Sequence, residues 1–380
     1  MNFELTKEQQ MIKEMVRDFA EQEVKSFAQE LDQSASFRWE TFEKMGKLGL
    51  LGIPFPEEYG GSGGDTVSYA LAVEEIGKAC GGTGLSYAAA VSLGASPIYN
   101  FGTEEQKHEW LTPMAKGETL GSFGLTEPNA GSDAGGTRTK AVLDGDEYVI
   151  NGEKCWITNA GYARQIIVTA VTGKKDNGRN IISAIIVPTD TPGVTINCNY
   201  EKLGVKASNT CEIILENVRV PKENLLGDEK RGFSQFLNTL DGGRISIAAL
   251  SVGIAQGAFE KALQYSKERQ QFGQPISKFQ AIQFKLADMA MEIELARNMV
   301  HKAAWLKDNR KPFSKEAAFA KLFASEMGFR VCNQAVQIHG GYGYMREYDV
   351  ERHLRDIKLM EIGEGTSEIQ RVVISRLLGC

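Results

Sequence analysis

Between residues 280 and 304, apolar side chains recur at alternating steps of four and three residues. The positions that carry this repeat are Ile282, Leu286, Met289, Ile293, Ala296, Val300 and Ala303. A seven-residue repeat keeps one apolar seam facing its neighbours, which is typical of helices packed at shallow left-handed angles. The repeat therefore predicts a long helix within a bundle, and Ser277 with Gln280 predicts a capping box at its start.

Further helical stretches lie on both sides of this seam. One runs from Arg244 to Tyr265, another begins after Pro312 and Ser314, and a last one follows Ser367. The C-terminal part of the chain is therefore predicted to be a four-helix bundle.

The beginning of the chain is also helical in pattern. Capping boxes are predicted at Thr6–Gln9 and at Thr103–Gln106, the first of them ahead of apolar residues at helical spacing. A chain of 380 residues is too long for one ordinary core, so two or three packed subdomains are expected.

Between these helical parts, short β-branched runs alternate with turn residues. Ile166–Val168, Ile185–Val187 and Ile213–Leu215 are examples, and Asn151-Gly152 predicts a two-residue hairpin. Strands this close together, with no helices between them, predict an antiparallel sandwich or barrel. The fold class is therefore α+β, with an N-terminal helical domain, a middle antiparallel β domain and a C-terminal helical bundle. The predicted boundaries are 1–120, 121–231 and 232–380.

Charge and composition exclude several functional classes. A net charge of -6 argues against nucleic-acid binding, and no apolar run is long enough for membrane insertion. The six cysteines have no metal-like or paired spacing, and no secretory signal is evident, so we expect reduced thiols and a cytoplasmic protein. The four histidines lack ligand spacing, so no metal site is expected. Neither a Rossmann glycine fingerprint nor a P-loop is present.

One carboxylate stands out near the C-terminus. Glu364 lies between Gly363 and Gly365, and Ser367 with Gln370 predicts a capping box that opens the last helix. A helix N-terminus favours anions, so the stretch combines a carboxylate with a possible phosphate site. Taken alone, the stretch is better explained as an ordinary acidic residue ahead of a helix.

Four other stretches are rich in groups that bind ligands. Residues 123–133 combine turn formers with hydroxyls and acids, and residues 154–159 place Trp156 two residues from Thr158. Residues 268–273 offer Arg269 for a phosphate, and residues 337–343 carry glycines that allow a close backbone approach. Each also has a plain structural explanation as a loop or as core packing.

Together with the Glu364 stretch, these segments resemble the acyl-CoA dehydrogenase family over essentially the whole chain. The resemblance is carried by Leu-Thr-Glu-Pro-Asn-Ala-Gly-Ser-Asp at 125–133 and by residues 337–370. Within the family, the short-chain, butyryl-type members are most similar, notably at 240–245 and 282–289.

The resemblance implies noncovalently bound FAD and a homotetramer that is a dimer of dimers. It also implies a set of cofactor contacts, namely Phe123, Leu125, Thr126, Ser132, Trp156, Thr158, Arg269, Gln271, Phe272, Gln280, Gln337, Gly340, Gly341, Thr366 and Glu368. Of these, Arg269, Gln271, Phe272, Gln337 and Gly341 would reach the FAD of a neighbouring subunit. The implied substrate contacts are Ser132, Asp241, Arg244 and Gly365.

In this reading, Glu364 removes the α proton of a short-chain acyl-CoA while the β hydrogen passes as hydride to flavin N5. The product is a trans-2-enoyl-CoA, and electrons pass on to electron-transferring flavoprotein. Some members place the base at the position of Gly243, and a glycine leaves that role to Glu364. Many short-chain members carry Tyr at the position of Gly363, so the acyl chain length and branching stay open. The alternatives are an acyl-CoA oxidase, which uses oxygen, and a catalytically silent binding relative.

Overall fold

The computed structural model describes residues 4–380 and has three layers of secondary structure in chain order. Helices come first, an eight-stranded sheet follows, and a second set of long helices completes the chain. The predicted α+β fold class is confirmed. The boundaries at 120 and 231 stay a prediction.

The first layer consists of short helices, several of which are joined by π-helical turns. The capping boxes at Thr6 and Thr103 are confirmed, since in each the hydroxyl accepts from the backbone of the Gln three residues later and that side chain bonds back. The helices are α1 (Lys7–Phe19), α2 (Ser26–Ser34), α3 (Trp39–Lys47), α4 (Thr66–Ala79), α5 (Gly81–Ala89), α6 (Ser96–Phe101), α7 (Glu104–Gln106) and α8 (Thr112–Ala115).

The sheet has the strand order β6-β7-β3-β2-β4-β5-β8, with β1 paired to β4. Most neighbours are antiparallel as predicted, but β4 pairs in parallel with both β1 and β2. The strands are β1 (Leu120–Gly124), β2 (Lys140–Asp144), β3 (Glu147–Thr158), β4 (Ala163–Lys174), β5 (Asn180–Pro188), β6 (Val194–Asn197), β7 (Thr210–Pro221) and β8 (Leu225–Leu226).

The hairpin predicted at Asn151-Gly152 is wrong. Both residues lie inside β3, where a register shift between Ile150 and Gly152 marks a bulge. The turn lies instead at Gly145, whose φ of 64° is left-handed, and it joins β2 to β3. Glycine is tolerated at a bulge for the same conformational reason that favours it in a turn, so the dipeptide alone did not distinguish the two.

The expectation that all six cysteines are unpaired thiols is also wrong. Cys198 and Cys211 form a disulfide, with Cα atoms 4.1 Å apart. The pairing follows from strand register. Asn197 of β6 pairs with Glu212 of the antiparallel β7, so Cys198, which follows Asn197, lies opposite Cys211, which precedes Glu212. The other four cysteines are free.

The predicted seam of the long bundle helix is confirmed. Of its seven positions, six are buried and Ile282 packs partly buried against the core. Its capping box is wrong, because Ser277 lies in a 3-10 turn and no side chain caps the helix. The elements here are α9 (Gly232–Glu268), β9 (Gln270–Gln271), β10 (Gln274–Pro275), α10 (Gln280–Asp308), α11 (Ser314–His339), α12 (Val350–Ile357) and α13 (Ser367–Leu378).

Both helical layers share one apolar core, while the far side of the sheet has a smaller one. Helix α9 joins the layers, since it packs against α4 of the first layer and against α10 and α11 of the last. Within residues 4–380, no helix is both long enough and apolar enough to cross a membrane.

Candidate active site

The Glu364 loop, residues 362–366, joins a 3-10 turn to helix α13. Glu364 and Gly365 both have left-handed backbones, with φ of 53° and 94°. The helix cap differs from the prediction by one residue, because Thr366 is the N-cap and its hydroxyl accepts from the Ile369 amide at 3.3 Å. Ser367 is the first helical residue. Gln370 donates back to the carbonyls of Glu364 and Gly365 at 3.2 and 3.1 Å, so it still fastens the loop.

The side chain of Glu364 lies against helix α9 at Gly243. A Cβ atom at position 243 would be only 1.9 Å from Oε2 of Glu364, so the carboxylate occupies the place where another side chain would project. Oε2 is buried and has no hydrogen-bond partner among residues 4–380. Burial raises the pKa of Glu364 to about 7, against the opposing attraction of Lys321 and Arg244.

Polar groups of the neighbouring helices surround this carboxylate. Arg244 is buried and forms an ion pair with Asp241, which also accepts from Ser314 Oγ at 2.5 Å. Two of the predicted substrate contacts, Asp241 and Arg244, are therefore brought together beside Glu364. One turn further along α9, Ser246 donates to the Gly243 carbonyl at 2.8 Å and lies 3.3 Å from Ser92 Oγ. Polar side chains of α9 and their partners therefore line one side of the site.

The predicted flavin contacts of the sheet also come together. The Thr126 carbonyl accepts from the Cys155 amide at 3.0 Å, which places Thr126 next to Trp156. The Ser122 hydroxyl donates to the Thr158 carbonyl at 2.9 Å, which fixes the end of β3 beside β1. The indole of Trp156 is 61% exposed, and its left-handed φ of 58° lies at a bulge.

Phe123 connects this surface to the bundle. Its ring is buried 4.2 Å from that of Phe236 on α9, centroid to centroid, so it packs in the core as well as lying at the end of β1. Leu125 is partly buried against the same core, and Ser132 is exposed on the following loop.

A buried ion pair that sequence reasoning missed supports the loop after β1. Lys154 is fully buried, and its Nζ lies 2.7 Å from Glu127 and 3.2 Å from the Leu125 carbonyl. Glu127 also accepts from the amides of Arg138 and Thr139 at 2.7 and 3.1 Å. Charged residues within a strand pattern were the available signal, since a buried charge needs a partner.

The remaining predicted cofactor residues gather at the other end of α9 and α11, away from Glu364. A cavity of about 510 Å³ there is lined by Arg269, Gln271, Gly340 and Gly341. Gln280 and Gln337 are exposed on the adjoining surface, as is Phe272 at 93%. Thr366 and Glu368 stay with the Glu364 loop.

Comparison with known proteins decides the family. Three family models match in succession: the acyl-CoA dehydrogenase N-terminal domain over residues 6–118, the middle domain over 122–218 and the C-terminal domain over 230–379. The chain belongs to the acyl-CoA dehydrogenase family. It is therefore an enzyme that acts on an acyl-CoA, and its cofactor is FAD.

Individual acyl-CoA dehydrogenases are similar over the full length. A probable acyl-CoA dehydrogenase, YngJ of Bacillus subtilis, is 75% identical over 378 residues, which is 100% of each chain. The structure of butyryl-CoA dehydrogenase from Megasphaera elsdenii has a TM-score of 0.97 and 47% identity, and each chain is covered completely. A structure described as the electron transferring flavoprotein of Acidaminococcus fermentans also has a TM-score of 0.97, with 50% identity and coverage of 100% of this chain and 99% of that one.

The exposed groups of this acyl-CoA dehydrogenase fit FAD. A flavin is a flat aromatic ring with polar edges, and Trp156 offers an exposed indole beside the hydroxyls of Thr126 and Thr158. Arg269 lies over the Tyr342 ring at 5.3 Å and forms no ion pair within residues 4–380, so its charge is available to a phosphate. Gly340 and Gly341 leave open space where a Cβ would stand.

Proposed function

We propose that this acyl-CoA dehydrogenase oxidises a short-chain acyl-CoA to the trans-2-enoyl-CoA, with Glu364 removing the α proton. FAD, when bound, supplies the acceptor for the β hydrogen as hydride. The observation that carries the proposal is the carboxylate oxygen Oε2 of Glu364, which is buried and has no hydrogen-bond partner among residues 4–380. A carboxylate of ordinary pKa is a weak base for a carbon acid, and a pKa of about 7 improves the match.

The backbone of Glu364 supports the same role. Its amide makes no hydrogen bond within the described residues, and its left-handed φ turns the peptide group away from the helical pattern. We propose that this N–H donates to the thioester oxygen of the substrate, where negative charge grows as the α proton leaves. A donor aimed at developing charge stabilises the transition state more than the ground state.

The remaining residues bind and orient. We propose that Leu125, Thr126, Ser132, Trp156 and Thr158 hold the flavin end of FAD, with Thr366 and Glu368 beside it. Arg269, Gln271, Phe272, Gln337 and Gly341 would contact the FAD of a neighbouring subunit, and Gln280 and Gly340 are proposed as further FAD contacts. The exposure of Phe272 in the single chain supports an assembly, and we propose the cytoplasmic homotetramer, which light scattering would detect.

The test of the reaction is anaerobic addition of butyryl-CoA to the yellow holoenzyme. Loss of the oxidised flavin absorbance is expected, and no change would favour the silent binding relative. Reduction of electron-transferring flavoprotein without oxygen consumption is expected next, since the similar Acidaminococcus structure concerns such a flavoprotein. Rapid oxygen consumption would instead identify an oxidase.

The acyl group is proposed to be C4 or short and branched. The similarity to butyryl-CoA dehydrogenase from Megasphaera elsdenii supports the chain length. At Gly363 a Cβ would meet only Leu359, with its carbonyl oxygen at 3.5 Å, so there is room beside the base for substrate. A kcat/KM series across straight and branched C4 to C8 thioesters would measure the preference, and a maximum at C8 would contradict the short-chain proposal.

Filling that space is expected to change specificity. In Gly363→Tyr, kcat/KM for a branched C5 thioester should fall about tenfold or more relative to butyryl-CoA, a typical value for one excluded methyl group. The Gly363→Ala control adds only a Cβ and should change the ratio much less. An unchanged ratio in Gly363→Tyr would show that the space beside Gly363 does not receive the acyl branch.

A further inference from the structure

Helix α11 carries a charged residue in an otherwise uncharged seam. Its buried positions recur at steps of four and three residues, and the second of them is a lysine. The seam consists of Ala317, Lys321, Ala324, Gly328, Val331 and Ala335. Lys321 is fully buried, and lysine is almost never buried completely unless its ammonium has partners.

The partner of this ammonium is the Glu364 loop. Lys321 Nζ donates to the Gly365 carbonyl at 2.7 Å, and this is its one hydrogen bond among the described residues. Gln370 donates to the same carbonyl at 3.1 Å, so two donors hold the peptide directly after Glu364. Glu364 and Gly365 both have left-handed backbones, which few residues adopt readily. Because the two donors hold the Gly365 carbonyl, they restrain this turn and with it the direction of the Glu364 side chain.

The ammonium also acts on the carboxylate through space. The charged and titratable groups that face Glu364 are Lys321 from α11, Arg244 from α9 and Tyr69 from α4. Of the two cations, Lys321 lowers the pKa of Glu364 more. Arg244 forms an ion pair with Asp241, which offsets its charge. Glu361 and Glu368 are further carboxylates that act on Lys321.

Lys321 carries its charge at neutral pH. Burial lowers its pKa to about 8, against the attraction of Glu364. Lys321 is therefore mainly protonated in the pH range where Glu364, with a pKa of about 7, loses its proton. A cation at this place favours the carboxylate form of Glu364.

We propose that Lys321 is a positioning residue for the base, which orients the Glu364 loop through the Gly365 carbonyl and keeps the carboxylate ionised. The proposal rests on the role of Glu364 stated above. Neither core packing nor helix formation requires a lysine at position 321, and the proposal gives this buried charge a function.

The test is Lys321→Met, which keeps the length and apolar stem of the side chain and removes the charge. Turnover at pH 7 is expected to fall about 10- to 100-fold, within the range for a general-base step. The acid limb of the kcat profile should move up by about one pH unit, because the lost cation raises the pKa of Glu364. Activity should therefore recover in part at pH 9.

A measurement independent of turnover uses an acyl-CoA analogue that has an acidic α hydrogen and cannot be oxidised. Its deprotonation in the holoenzyme, followed by absorbance against pH, should shift upward in Lys321→Met by the same amount. The charge-retaining variant Lys321→Arg should keep the wild-type midpoint. If Lys321→Met does not fold, a shifted midpoint in Lys321→Arg would contradict the proposal and an unchanged one would support it.

Lys285→Met is the matched control. Lys285 lies on α10 and bonds to Gln334 of α11, so its removal takes away a lysine and an interhelical contact in the same bundle. Its profile should coincide with the wild type. If both variants leave the acid limb unchanged while Glu364→Gln abolishes turnover, the inference about Lys321 is wrong and the role of Glu364 stands. If Glu364→Gln remains active, the proposed function itself fails.

Discussion

Glu364→Gln is expected to fold, to retain FAD and to lose turnover by about 10³-fold or more, the upper range for a general-base step. The amide has nearly the shape of the carboxyl group, so it fits beside Gly243, but it cannot accept the α proton. Steady-state turnover of butyryl-CoA, with flavin content measured by absorbance, would give both results from one preparation. Butyryl-CoA should still bind.

Near-normal turnover in this variant would contradict the assignment of the base. A control for general damage is Glu368→Gln, which changes an exposed carboxylate four residues later. If Glu368 contacts FAD as proposed, its variant should affect flavin retention while leaving far more turnover per bound flavin. Loss of turnover in both variants to the same degree would show only that the helix start is sensitive.

The same substitution is expected to stabilise the protein at neutral and alkaline pH. Because burial raises the pKa of Glu364 from 4.5 to about 7, the folded state holds a proton that the unfolded state has released. Stability of the wild type therefore falls as pH rises through this window, and Gln removes that loss. A gain in stability together with a loss of turnover is typical of an active-site residue.

The bundle was predictable because its signal is local. The seam of α10 repeats over seven positions, and one side chain out of register would have been visible in the sequence. The cap of α13 was predicted one residue late, since Thr366 and Ser367 are both good caps and only the turn of the chain at Gly365 decides between them.

Features that depend on strand register were not predictable. Asn151-Gly152 has the composition of a turn, yet its place within β3 is decided by pairing with β2 and β7. The disulfide between Cys198 and Cys211 likewise arises because β6 and β7 are neighbours. No pattern within either strand specifies its partner.

The candidate site also combines features that the sequence shows locally with features that depend on the fold. The glycines around Glu364 are visible in the sequence, but the contact of its carboxylate with Gly243 spans two helices of the folded bundle. Lys321 had a readable signal, because a lysine occupies a seam position between alanines. A charge at such a position predicts a buried hydrogen-bond acceptor or an opposite charge beside it. The sequence does not identify that group, and in the structure it is the Gly365 carbonyl.

The sheet contains a second charge of this kind, and its loss is expected to have the largest effect on stability. In Lys154→Met the carboxylate of Glu127 stays buried with no cation, and breaking one side of a buried pair typically costs about 3–5 kcal/mol. Although burial raises the pKa of Glu127, Lys154 and the surrounding donors lower it to about 2. The stabilisation from this group is therefore present above its ordinary pKa and is lost as pH falls toward 2.

Urea unfolding of the apoprotein at pH 7 would measure the loss of stability. The control is Lys222→Met, which should leave the unfolding midpoint unchanged because the ion pair of Lys222 with Asp146 is exposed and screened by water. Adding Glu127→Gln to Lys154→Met should recover part of the stability, because the unpaired charge is then gone. Since Lys154 also donates to the Leu125 carbonyl, FAD should dissociate more readily from the single variant. A single variant as stable as the wild type would contradict the expected loss, and it would show that Glu127 takes up a proton or reaches solvent when its partner is removed.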